Sequence, residues 1–363
     1  FLALLILAIE LSFTPISFCS QEKTIKIHNL EGLQNIEDNL NANYILVEDI
    51  NATKTQDWDN GKGFSPIGKN SENPFTGKFD GGGHVIENLH IYRPKRDYVG
   101  LFGYIKDSEI KKIGLKNTKV KGGSNTGGLV GWNDGGWINK SFVKNSEING
   151  SNAGGLIGFN YKGGVLINSH SYGTVNGDYV GGLVGINYVS GTVKNCYSTS
   201  HVSGKEKVGS LVGANRFPKG NISDSFFDKS LSGTDKAIGK NRGRTSNVKA
   251  LSTEEMGKIS IFKGVKWNIA AVNTVKNREE NYIWNMVNGQ TYPFLSWETE
   301  ETITKIEKTE ENTNIDENNG NPIKEPEEYL KETKTWIRIL LVVILLSITI
   351  LGIKLTAEKR KNT

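Results

Sequence analysis

Between residues 99 and 233 short apolar phrases alternate with glycine and asparagine clusters at one fixed interval. The phrases are GLFG (100–103), GGLVG (127–131), GGLIG (154–158), GGLVG (181–185) and GSLVG (209–213). Their leucines, Leu101, Leu129, Leu156, Leu183 and Leu211, are separated by 28, 27, 27 and 28 residues, the regularity of stacked copies of one small unit. A second apolar phrase follows each of the later ones. Ile138, Leu166, Val193 and Ile222 precede Ser141, Ser169, Cys196 and Ser225 by three positions, and Gly150, Gly177, Gly204 and Gly233 lie eight or nine residues beyond. Ile110, Ile113 and Gly122 start this series. Such a unit accommodates roughly two or three strands of about 4 to 6 residues joined by glycine turns, and has no room for a helix of ordinary length. Strands this short satisfy their edges by pairing with the same strand of the next unit. The expectation is an all-β parallel β-helix, its coils about 4.8 Å apart, with the leucines in an inner column. Crossover chirality favours a right-handed winding.

The flanking text divides the rest of the chain. Residues 1–20 (FLALLILAIELSFTPISFCS) are an apolar run followed by a polar break and read as an N-terminally incomplete signal peptide. Ser17 and Cys19 fit a cleavage site after Cys19, while bulky Phe18 disfavours a lipoprotein box. Residues 21–98 read as a lead-in and N-terminal cap of the β-helix, with strand text at 44–50 (YILVEDI) and 85–92 (VIENLHIY). Residues 99–233 hold the five repeats. Residues 234–297 read as a C-terminal cap, with a capping box at Ser252 and Glu255 starting a short helix at 252–258. Residues 298–335, rich in Glu, Thr, Asn and Lys, cannot bury enough surface to fold and read as an acidic, disordered stalk. Residues 336–353 (WIRILLVVILLSITILGI) would span about 27 Å as a transmembrane helix. The basic tail at 354–363 places the body outside the cell. No LPxTG-like pentapeptide precedes this segment; the nearest text is LKETK at 330–334.

With those residues in view, a resemblance is specific. The glycine-leucine phrases, with Asn133, Asn160, Asn187 and Asn215 four positions after four of the leucines, and VKNCYS at 193–198, resemble GLUG-motif repeats. The lead-in, FSPIG, FTGKFDGGGHVIENLHI and GLFGYI, and the ending IWNMVNGQTYPFLSW at 283–297 resemble the surroundings of those repeats in bacterial and archaeal surface proteins, including the β-helical part of immunoglobulin A peptidases. The resemblance covers residues 44–297. It implies a β-helix and surface display, and it implies no activity.

Composition and charge refine this picture modestly. The 42 glycines come with only 8 prolines, so the chain is neither collagen-like nor a proline-rich disordered polymer. The net charge of +5 hides a balance of −1 over residues 1–20, +9 over 21–297, −7 over 298–335 and +4 over 336–363. Fields act locally, so the chain behaves as a basic body on an acidic stalk. Cys19 and Cys196 make no disulfide framework. No HExxH occurs, the five histidines lack zinc spacing, and DWDNGKG at 57–63 departs from a calcium loop. No catalytic, cofactor-binding or metal-binding residue is therefore assigned. The asparagine series reads as a structural ladder supporting left-handed turns. Tyr104, Trp132 and Phe159 stand three positions after their leucines. Opposite parity points them outward as an aromatic platform, whereas the intervening corner glycine could turn them into a stacked core. The loop tips Tyr161, Lys162, Tyr188, Arg216 and Phe217 form a candidate ligand-binding edge. Six lysines between Lys106 and Lys121 read as a solvated face, with anionic envelope polymer as the alternative partner. The expected partners are the membrane and glycans or anionic polymers; nucleic acid is not expected. The function expected is that of an adhesin-like or envelope-structural surface protein without catalysis, the alternative being a polysaccharide-active β-helix enzyme.

Overall fold

A computed structural model describes residues 23–306. The expected signal peptide, most of the stalk, the membrane helix and the basic tail lie outside the described residues. No helix among the described residues is long and apolar enough to cross a membrane.

The described chain winds as a parallel β-solenoid of about six turns. One flank is a six-stranded parallel sheet formed by Phe102–Lys106, Val130–Asp134, Ile157–Tyr161, Val184–Asn187, Val212–Asn215 and Ile238–Asn241. Its register is uniform: Trp132 pairs with Tyr104 below and Phe159 above, followed by Ile186, Ala214 and Lys240. The remaining strands of each turn belong to a 19-stranded sheet that runs around the other sides. Here Phe79, Ile110, Ile138, Leu166, Val193 and Ile222 are stacked in register. The five phrase leucines are fully buried in one continuous core with these residues. A turn carries two to four strand segments: four in 130–154, three in 157–181 and two in 212–228.

Two devices hold the coils at their corners. Glycines of the repeat phrase sit where backbones nearly touch: a Cβ on Gly131 would lie 2.5 Å from the Val99 nitrogen, so space, not φ, excludes a side chain. Left-handed backbone occurs elsewhere, at Lys112, Lys140, Asn168, Asn195, Asp224 and Asn247, with φ between 48° and 53°. Short polar side chains occupy four of those six positions, in keeping with their tolerance of this region. Further left-handed residues, Gly135, Lys162, Gly163, Val189 and Ser190, lie in the turns that the ladder asparagines Asn133, Asn160 and Asn187 bridge.

The two ends are built differently. At the N-terminal end the short helix Leu30–Gln34, capped by the Asn29 side chain, places Leu30 and Leu33 in the core, and the 3-10 turn Asn35–Asp38 after it adds Ile36. At the C-terminal end the coil continues past Gly233, since Ile238–Asn241 and Arg244–Leu251 pair with the turn before them. Beyond Leu251, the capping box at Ser252 and Glu255 starts a helix, Thr253–Met256, shorter than expected because Gly257 closes it. A second helix, Ile259–Gly264, and a three-stranded sheet follow. These segments do not form a simple lid on the last coil. They lie along a flank of the solenoid, where Met256, Phe262, Trp267, Trp284, Tyr292 and Leu295 cover Phe142, Tyr197 and Phe226 from successive turns. The physical reason is the column itself: large aromatic groups on an outer face need an apolar partner.

Candidate functional site

The candidate residues converge on the outer face of the six-stranded sheet. Tyr104, Trp132 and Phe159 do not join the core. Opposite parity to the leucines prevails, and the rings stack on one another outside the sheet. Tyr104 and Trp132 lie 5.9 Å apart at 12°, and Trp132 and Phe159 4.2 Å apart at 6°. Trp132 and Phe159 are half-buried, while Tyr104 is nearly covered, its hydroxyl donating to Asp134 at 3.2 Å. Burial, with the Asp134 charge and that hydrogen bond, pushes the Tyr104 phenol well above its usual range. Trp132 Nε1 is buried without a hydrogen-bond partner.

A second column stands beside the first, one residue after each ladder asparagine: Asp134, Tyr161, Tyr188, Arg216 and Arg242. Tyr161 stacks on Tyr188 at 6.0 Å and 12°, and Tyr188 meets Phe217 edge-on at 5.4 Å. Phe217 is exposed, Lys162 projects to solvent with φ 49°, and Trp132 and Phe159 both contact Tyr161. The expected edge and the expected platform are therefore one surface. A third column on the neighbouring strand, Tyr98, Asn125, Asn152, Tyr179 and Lys207, borders it. Tyr98 packs edge-on against Tyr104 and Trp132. The sequence reading missed Tyr98 and Tyr179. They belong to a different strand, and only register places them beside the others.

Directly beneath this face runs the asparagine ladder. Asn133 Nδ2 donates to Asn160 Oδ1 at 2.8 Å, Asn160 to Asn187 at 2.8 Å, Asn187 to Asn215 at 3.0 Å and Asn215 to Asn241 at 3.0 Å. Each of the first four also donates to a carbonyl in the following turn, at Gly136, Gly164, Gly191 and Gly220. All four are fully buried, so the ladder holds the scaffold and presents nothing to a ligand.

The covered flank contains the most perturbed charges. Glu298 accepts from Lys144 Nζ at 2.6 Å and from Leu295 N at 2.8 Å, and lies 2.9 Å from His170 Nε2. Burial pushes the His170 imidazole down to about 4, against the pull of Glu298 and with the help of Lys144. Burial would raise Glu298, yet the Lys144 charge and the hydrogen bonds from His170 and Lys144 hold it down, to about 2. Sealed by Tyr197, Trp284 and Trp297, this cluster is an anchor for the flanking segment rather than a reaction centre.

Other sequence candidates are structural. His84 bonds Asp49 at 3.0 Å, and Asp59 is engaged by Lys62 and Arg93. Cys196 is buried, and burial pushes its thiol up to about 12. Lys111 and Lys116 pair with Asp80, Glu109 and Glu87. Among the described residues, no group of three or more His, Cys, Asp or Glu side chains could hold a metal ion.

Residues 176–203, the span that includes the fourth phrase, match the family described as the GLUG motif. Over 122 residues, or 31% of this chain, the sequence is 37% identical to Halomucin of Haloquadratum walsbyi; the chain spans about 1% of the length of that curated relative. A crystal structure of an immunoglobulin A1 protease candidate from Bacteroides ovatus is similar over 77% of this chain and 94% of its own, with a TM-score of 0.52 and 19% identity. That likeness concerns the fold alone. One repeat thus matches the GLUG motif, and its phrase recurs in register along the sheet of a parallel β-solenoid.

Proposed function

We propose that this chain is a surface-displayed, adhesin-like β-helix that recognises carbohydrate through the outer face of its six-stranded sheet. One observation carries the reading. Trp132 stacks between Tyr104 and Phe159, and Tyr161 stacks on Tyr188 beside them, with Trp132, Phe159, Tyr161 and Tyr188 all partly exposed. Partly exposed aromatic rings at the spacing of the coils suit the apolar faces of sugar rings, which stack while their hydroxyls stay in water. Similarity to Halomucin supports a place at the cell surface. The segment at 336–353 and the basic residues after it supply a single-pass anchor with a cytoplasmic tail, and the residues before it supply the stalk. Carbohydrate recognition without turnover is the function assigned.

Screening the full chain on immobilised polysaccharides tests this. Retention is expected, and the double substitution W132A/F159A should weaken it at least about tenfold, the loss of roughly one stacking contact or more. Silence on every polysaccharide would overturn recognition in favour of an envelope-structural role. New reducing ends would overturn the non-catalytic reading in favour of a polysaccharide-cleaving enzyme. Release of the chain from membranes on deleting residues 336–363 is the expected sign of the anchor.

A further inference from the structure

The outer face changes character along the solenoid axis. In the first column the side chains shrink from Trp132 and Phe159 to Ile186 and Ala214, then end at Lys240. Where they shrink, a hollow of about 350 Å³ opens, lined by Tyr179, Tyr188, Lys207, Arg216, Phe217, Lys240 and Arg242. Four cations therefore converge on one recess walled by three aromatic rings. Among the described residues none of the four forms an ion pair, whereas Lys111, Lys116 and Lys144 all do. Arg216 instead lies over the Tyr179 ring, 4.6 Å from its centroid, which holds the guanidinium plane in place. Glu206, beside the Tyr179 hydroxyl and raising that phenol, is the acidic neighbour of the recess.

We infer that this recess is an acidic-sugar subsite, so that the face binds an anionic polysaccharide whose carboxylate or sulfate groups seat among Lys207, Arg216, Lys240 and Arg242 while its neighbouring rings stack on Tyr188, Phe159 and Trp132. The inference rests on the carbohydrate reading of the face and adds the charge class of the ligand. The chemistry of the lining supports it. Like charges gathered without counter-ions repel one another, and an anion placed among them relieves that repulsion. Arginine presents a planar fork that matches a carboxylate or sulfate with two parallel hydrogen bonds. The aromatic walls supply the sugar-facing surface that a site for small inorganic anions would lack. Sequence alone scattered these residues over 64 positions, from Tyr179 to Arg242; the parallel register gathers them.

The test uses the full chain, with polygalacturonate and dextran sulfate as acidic probes, neutral dextran as the uncharged probe, and poly-glutamate as an acidic chain without sugar rings. Acidic polysaccharides should bind at least about tenfold more tightly than dextran, with affinity falling as salt rises. The triple substitution R216Q/K240Q/R242Q should remove that preference and flatten the salt dependence. All three side chains lie outside the core, and circular dichroism verifies that the variant is folded. Y188A should weaken both polysaccharide classes. Equal binding of acidic and neutral polysaccharides would overturn the subsite and leave carbohydrate recognition standing. Poly-glutamate binding as tightly as polygalacturonate would overturn the sugar requirement and point to an acidic protein segment as occupant. Absence of binding to any polysaccharide would overturn both.

Discussion

The solenoid carries two aromatic columns on two flanks, and they meet different fates. On one flank, Phe142, His170, Tyr197 and Phe226 stack through successive turns and are sealed by Trp267, Trp284, Tyr292 and Trp297 of the chain's own C-terminal segment. On the other, Tyr104, Trp132 and Phe159 also stack, and Trp132 and Phe159 remain half open while Tyr104 is nearly covered. The same repeat geometry produces both, since equivalent positions in successive parallel coils superpose. What separates them is a partner. The covered flank has one in cis, tied down by the Lys144–Glu298–His170 cluster and by the Tyr197 hydroxyl donating to Pro293 O at 2.6 Å. An aromatic column left half open among the described residues is the one available to a ligand.

Substitutions that break the seal should show the largest effects. Glu298→Ala leaves the Lys144 cation buried and unpaired, at a cost of about 3–5 kcal/mol. Tyr197→Ala should cost about as much by opening a cavity between the solenoid and its cover. Both are read as shifts in the denaturant midpoint, and K144M/E298L should recover most of the loss. A cost below about 1 kcal/mol for Glu298→Ala would mean the cluster does not hold the cover.

Acid should loosen the same flank. The His170 imidazole takes up its proton only near 4 in the folded chain, against an ordinary 6.5, and the Glu298 carboxylate only near 2, against 4.5. The unfolded chain therefore binds more protons than the folded one throughout that window. Stability falls as pH drops from about 6.5 towards 2, by an amount on the order of 3 kcal/mol for each group. Hydrogen exchange at residues 267–298 should accelerate over this range before exchange in the six-stranded sheet does. Simultaneous loss of protection on both flanks would show that the cover and the coil unfold as one unit.

The ladder beneath the open face should be next. Asn187→Ala deprives the Asn160 Nδ2, the Gly191 carbonyl and the Asn215 Oδ1 of a partner and should cost about 1–3 kcal/mol. Asn133→Ala, at the ladder's start, should cost less, because Asn133 Oδ1 has no donor below it. Smallest of all should be Trp132→Ala, at about 0.5–1.5 kcal/mol in stability, since its ring contributes stacking but no core. That variant should lose polysaccharide retention with little change in denaturant midpoint, the reverse of Tyr197→Ala. Equal destabilisation by the two would erase the distinction between the flanks.

Much of the scaffold is legible in the sequence. Leucines at steps of 27 and 28 residues, with glycines about them, state a short-strand repeat, and asparagines at the same step state a ladder, because both signals recur locally in every unit. The outward direction of Trp132 was only half legible: parity favoured it and the corner glycine obscured it. Tyr98 and Tyr179 were not legible as members of the site, since they sit on another strand at another point of the phrase. The cover was legible only as an array end. Its contacts join residues far apart in the chain, 128 positions for His170 with Glu298 and 154 for Lys144 with Glu298, and no periodicity encodes such pairs.

By itself, then, the sequence determined the period, and through it the parallel stacking, the inner leucine column and the asparagine ladder, since each depends on residues that repeat within one unit. Only the tertiary structure decided which aromatic column is sealed and which stays open, and where the four cations of the C-terminal end meet. Both outcomes depend on side chains brought together from different turns and from the returning C-terminal segment, where register and packing, rather than local pattern, fix what lies beside what.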